Sequence, residues 1–212
     1  MFDQAVYYAK TFVETVPAIF GLRGTFEQPP YTVRAALGAG LEIRDYEQTM
    51  AAEASVTAAT REAASETAFR LLFAYITGAN TGSQMIAMTT PVQQAPTLIE
   101  MTTPVRVDVT TDGTQSRIAM RFSLPAKTAA NPPAPSDPRV RLVTAPAVTV
   151  AALRYTGNPS EASRVAHQKI LLERLAASDW HANGDPYTLN YDPPFAVPFL
   201  KRNEVVVPVT RR

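Results

Sequence analysis

After Pro29-Pro30, in "YTVRAALGAGLEIRDYEQTMAAEASVTAAT", apolar residues recur at every second position, and helical patterns follow in two windows, 61–77 and 160–177. Leu41 and Ile43, then Ala52, Ala54 and Val56, alternate as half-buried strands do. In the first window, "REAASETAFRLLFAYIT", Phe69, Leu72, Phe73 and Ile76 share one face at i, i+3, i+4 and i+7, and Gly78 with Asn80 supplies the stop. Pro159 opens the second helix at a point where its missing N–H is harmless, and Val165, Leu171, Leu172 and Leu175 mark its buried side. Asp112-Gly113 between two alternating runs predicts a hairpin turn. Strand patterns resume at Val140 and Val148–Tyr155, and "DPYTLNYDPPFAVPF" and "NEVVVPV" supply the closing strands. The order is strand, helix, strands, given twice, which predicts an α+β domain of two halves with two helices against a largely antiparallel sheet. Eighteen prolines suit strand ends, edges and bulges but not central ladders.

Composition removes several classes of function. Twenty basic against nineteen acidic residues leave a formal charge of +1, so no strong field recruits nucleic acid or an anionic membrane. There is no cysteine, which excludes thiolate nucleophiles, iron–sulfur clusters and Cys-based zinc sites. No run approaches the ~18–20 apolar residues that span a bilayer, so no integral membrane segment is expected. Asp3, Lys10 and Glu14 break the pattern of a cleaved signal, which makes cytoplasm the default compartment. Residues 1–40 are expected to form an N-terminal helix over 3–16, docked through Phe2, Val6, Val13 and Val16, and an extended lead-in; residues 41–212 form one domain.

"IAMTTPV" at 86–92 is nearly repeated by "IEMTTPV" at 99–105. A period this short is below that of repeat architectures. Each copy predicts a strand of about five residues that ends or bulges at its proline, with the threonine hydroxyls satisfying the freed backbone groups. The two copies can then pair as neighbouring strands.

Together, "LEIRDYEQ", "AFRLLFAYITGAN", "MIAMTTPV", "IEMTTPV", "PPAPSDPRVRL", "AALRYTGNPSE", "PYTLNYDPPFAVPF" and "KRNEVVVPV" resemble, in this order, the SOUL haem-binding protein family over roughly residues 41–209. The resemblance implies one twisted, mostly antiparallel sheet or open barrel built from two pseudo-repeats with two packed helices, similar to multidrug-sensor effector domains. It also implies binding of haem or another tetrapyrrole by apolar burial in a shallow pocket beside the first helix. Carried onto this chain, that site comprises Phe69 and Phe73 as apolar contacts, with Leu72 and Ile76 beside them. Basic residues that meet the propionates elsewhere in the family are replaced by Glu66 and Ala74, leaving Arg70 as the local cation. The position proposed in the family for an axial histidine holds Asp45, a poor ligand for haem iron.

Other iron ligands are weaker candidates. His167 is expected on the solvent side of the second helix near Ser163 and Arg174, and His181 beside Trp180 in a loop. Met85, Met88, Met101 and Met120 fall on predicted strands and read as core filling. Tyr155, Tyr187 and Tyr191 fit two readings equally, phenols brought to a pocket or core tyrosines with hydroxyls at the surface. No metal-ligand set and no catalytic constellation emerges, so the expected function is non-catalytic binding as a carrier, buffer or sensor. The alternative is a module for another small hydrophobic ligand or a protein partner that has lost haem binding.

Overall fold

A computed structural model describes residues 27–96, 116–192 and 196–212. The expected helix at 3–16, the second repeat copy and the Asp112-Gly113 turn lie outside the described residues. In chain order the elements are β1 (Tyr31–Ala36), β2 (Leu41–Tyr46), β3 (Thr49–Ala58), α1 (Arg61–Ile76), β4 (Val92–Pro96) and β5 (Ser116–Ser123). They continue with α2 (Ala126–Ala129), β6 (Val140–Ala145), β7 (Val148–Thr156), α3 (Glu161–Ala176), β8 (Trp180–Ala182), β9 (Tyr187–Asn190), a 3₁₀ turn (Pro198–Leu200) and β10 (Arg202–Arg211). All strands join one sheet in the order β1-β2-β7-β10-β9-β4-β5-β3-β6, with β8 paired to β10, and every ladder is antiparallel.

That order forces the sheet to curl. β2 and β3 are six places apart in it, about 29 Å in a flat sheet at about 4.8 Å per strand. Yet Tyr46 and Thr49 are joined by three peptide links, which reach at most about 11 Å. The same holds for Ala145 of β6 and Val148 of β7. The sheet therefore bends into a half-barrel, the open barrel expected from the sequence.

The expected pseudo-repeats are visible in the layers. α1 packs on β3 and β5, where Ala64, Ala68, Leu72 and Ile76 meet Ala52, Ala54, Ile118, Met120 and Phe122. α3 packs on β7, β8 and β10, where Leu171 and Leu175 meet Leu41, Ile43, Leu153, Val205 and Val207. The lead-in before Leu41 supplies β1, the strand beside β2. Thr60 caps α1 by accepting from the Ala63 N–H at 3.2 Å, and Ser160 caps α3 from Ser163 at 3.2 Å.

Three sequence expectations are corrected. Pro159 precedes the cap residue Ser160 and so lies just outside the second helix. On α3, Leu171 and Leu175 are buried as expected, but Val165 is 51% and Leu172 37% exposed, because the helix touches the sheet along a narrow stripe. The first repeat copy is not a strand: it runs as an extended segment with a cis Thr90–Pro91 bond, and β4 begins only at its final residue, Val92. Pro91 has no N–H for a ladder, and the Thr89 hydroxyl donates instead to the Ser123 carbonyl.

Candidate ligand-binding site

Phe69 and Phe73, one turn apart on α1, stack with centroids 5.9 Å apart and planes 13° from parallel. Phe122 of β5 closes on Phe69 edge-on at 5.6 Å and fixes its orientation from beneath. Both rings are only partly buried, so the α1 flank presents two nearly parallel aromatic rings. Glycine-free helix spacing creates this stripe, since residues four apart lie above one another.

The five residues predicted for the site separate into three kinds. Phe69 and Phe73 form the half-exposed aromatic flank. Arg70 lies beyond them with its side chain 70% exposed, 3.9 Å from Glu66, a loose pair that holds it weakly. Leu72 and Ile76 are 0% and 2% exposed. They point into the sheet and anchor the helix, leaving no surface for a ligand.

A cavity of about 290 Å³ lies on the opposite flank of α1, lined by Leu71, Ala74, Tyr75, Ala79, Pro138 and Val140. The proline-rich loop at 131–138 forms its wall. Tyr75 donates to the Pro133 carbonyl at 2.9 Å, and Thr81 accepts from the Ala134 N–H at 2.9 Å. Asn80, 5% exposed, ties the end of α1 to the next segment through Tyr75 and Gln84. This proline-rich loop is thus docked on the helix terminus.

The side chains weighed as axial ligands make contacts of their own. Asp45 accepts from Arg34 at 2.8 Å and from Thr149 at 2.6 Å, and it sits in the half of the sheet covered by α3, away from α1. His167 is not a solvent-side residue: its ring stacks on Tyr155 at 4.0 Å and its Nδ1 lies 2.7 Å from the Ser163 carbonyl. His181 is exposed on β8, where its Nε2 lies 2.8 Å from the Thr210 hydroxyl rather than against Trp180. Met120 is 1% exposed in the core, as expected of a gap-filling methionine, and Met88 packs against the same cluster, although Met85 and Met88 lie outside any strand.

On the sheet face away from the helices lies a charged network that sequence reasoning missed. Glu204 is 0% and Arg44 2% exposed. Arg44 grips both carboxylate oxygens at 2.7 and 3.2 Å, Arg202 adds a contact at 2.6 Å, and Tyr191 donates at 2.8 Å. Burial alone would raise the Glu204 pKa, but the hydrogen bond and charge of Arg44, helped by Arg202, hold it below the ordinary carboxylate value. Burial pushes the Tyr191 hydroxyl up, with the Glu204 charge adding to it. Of the two readings of these tyrosines, the one with hydroxyls at the surface fails for Tyr155 and Tyr191, since both hydroxyls are buried. Alternation along β2 turns Arg44 away from the Ile43 face, and the β2-β7-β10 order sets Glu204 before it.

A curled antiparallel sheet of two pseudo-repeats, with one helix over each half, defines the fold as an α+β half-barrel. Residues 26–208 match the SOUL heme-binding protein family, and the chain belongs to it. It is 30% identical over 189 residues to Heme-binding protein 1 of Mus musculus, covering 87% of this chain and 93% of the mouse protein. Against Heme-binding protein 1 of Xenopus laevis the identity is 28% over 169 residues, 79% and 83% of the two chains. The fold alone is shared with the C-terminal domain of EcmrR, at a TM-score of 0.58 and 10% identity over 86% of this chain and 99% of that one. It is shared likewise with a hydrolase from Listeria innocua, at a TM-score of 0.55 and 12% identity over 82% and 94%. Family membership supports haem or tetrapyrrole as the ligand class. No helix among the described residues is long and apolar enough to cross a membrane.

Proposed function

We propose that this chain binds haem or a related tetrapyrrole without catalysing a reaction, on the Phe69–Phe73 flank of α1, as a carrier, buffer or sensor. The observation that carries the reading is the pair of nearly parallel, half-buried phenyl rings in a member of a haem-binding family. A flat macrocycle needs a flat apolar surface, and removing its area from water supplies about 25 cal/mol per Å². Arg70, held only loosely by Glu66, is free to turn toward a propionate. Leu72 and Ile76 keep the helix seated while the ligand loads its outer flank. The contacts of this flank with a macrocycle are apolar and call for no iron ligand, so metal-free protoporphyrin is expected to bind as haem does.

Titration with ferric haem and, in parallel, metal-free protoporphyrin tests the reading through the Soret band and quenching of Trp180, the single tryptophan. Both ligands are expected to saturate with micromolar affinity, and Phe73→Arg to weaken both. Haem-only binding that disappears in His167→Ala or His181→Ala would replace the apolar flank with axial ligation. Equal affinity in wild type and Phe73→Arg would move the site elsewhere.

A further inference from the structure

The N-termini of α1 and α3 meet above the short β4–β9 ladder, and between them lies a cavity of about 170 Å³ lined by Arg61, Gln94, Tyr155, Glu161, Arg164 and Asn190. Two guanidiniums share one carboxylate there. Arg164 takes both oxygens of Glu161, through Nε at 3.1 Å and through a closer terminal nitrogen. Arg61 reaches Glu161 only at 3.7 Å and donates no hydrogen bond within the described residues, although its side chain is 21% exposed. Glu62, exposed at the rim, is the other carboxylate at the cavity. Burial, and then the neighbouring Arg164, lower the Arg61 pKa by more than Glu161 and Glu62 raise it.

Two further polar atoms at this cavity lack partners. The Tyr155 hydroxyl makes no hydrogen bond although the residue is 5% exposed, and its ring is held by the His167 stack. Asn190 Oδ1, also buried, has no donor. Leaving a buried polar atom without a partner is costly, so an unmatched donor and an unmatched acceptor beside two arginines favour a polar guest with a group for each. The helix N-termini add a favourable potential for an anion.

We infer that this cavity binds a small hydroxycarboxylate. Its carboxylate accepts from Arg61 and the Tyr155 hydroxyl, with Arg164 behind them, and its hydroxyl donates to Asn190 Oδ1. The inference stands apart from tetrapyrrole binding, which uses the α1 flank nearer the helix's far end.

The test is a ¹H–¹⁵N NMR titration of the haem-free protein with sodium glycolate, sodium acetate and sodium chloride at constant ionic strength, following the arginine Nε–Hε and backbone signals. Glycolate is expected to give saturable shifts confined to Arg61, Arg164 and their neighbours, more tightly than acetate, with none from chloride. Arg61→Gln and the nearly isosteric Tyr155→Phe each weaken glycolate about tenfold or more, while Phe73→Arg leaves it unchanged. Shifts that never saturate, that chloride reproduces, or that survive both cavity variants in a folded protein overturn the site. Acetate binding as tightly as glycolate overturns the role given to Asn190.

Discussion

Replacing Glu204 by Gln keeps the shape of the side chain and removes its charge from a place where the residue is 0% exposed. Breaking one partner of a buried ion pair typically costs about 3–5 kcal/mol, because the remaining charge stays buried without compensation. Arg44 keeps a second carboxylate, Glu42, at 2.8 Å, so the lower end, about 3 kcal/mol, is expected. With about 2.1 cal/mol/K of unfolding entropy per residue, this chain has about 0.4 kcal/mol/K, and the loss lowers Tm by about 7 °C. The folded pKa of Glu204 is depressed, so its contribution is complete above the ordinary carboxylate value and is lost as pH falls through the lowered one. The Tm gap between wild type and Glu204→Gln is therefore constant from about pH 6 to 8 and closes below about pH 4. Circular dichroism melts at several pH values measure both. A fall of less than about 2 °C, or a gap independent of pH down to acid unfolding, would refute the account of a buried charge held by Arg44.

Leu72→Ala, at a position 0% exposed, should cost about 2–5 kcal/mol by urea unfolding, whereas Phe73→Ala costs less and acts mainly on porphyrin affinity. Equal destabilisation by the two would mean that Phe73 is core rather than surface. Ser160→Ala removes the hydroxyl that accepts from the Ser163 N–H at 3.2 Å and should cost about 1 kcal/mol, with Ser160→Asp close to neutral. Tyr75→Phe leaves the Pro133 carbonyl without its 2.9 Å donor, and hydrogen exchange should rise in the 131–138 loop before it rises in α1.

Local periodicity was enough to find β2, β3, α1 and α3, because each buries one face against a neighbour and carries the pattern in its own residues. The Phe69–Phe73 stripe was legible for the same reason. What periodicity could not show was how far burial reaches around a helix: Val165 and Leu172 fit a buried face by spacing, and only the narrow contact of α3 with the sheet leaves them exposed. His167 was misplaced because its partner, Tyr155, comes from β7, and nothing local announces that stack. The Arg44–Glu204 pair spans 160 residues, and the cavity between Arg61 and Arg164 depends on two helix ends meeting across the sheet. Such features follow from strand order, which the sequence encodes only through long-range pairing.

The curl of the sheet has a consequence for a chain made from its N-terminus onward. Residues 49–145 carry β3, α1, β4, β5 and β6 as one uninterrupted stretch, whereas β2 completes the other half and faces β7 with Leu41 opposite Leu153. On the ribosome the α1 half can gather its strands as they emerge, while Leu41 and Ile43 wait more than one hundred residues for theirs. Until β7 arrives, β1 can cover one edge of that strand but the other stays open, available to a chaperone or to another nascent chain. Protease protection of stalled chains should therefore appear in α1 well before it appears in β2.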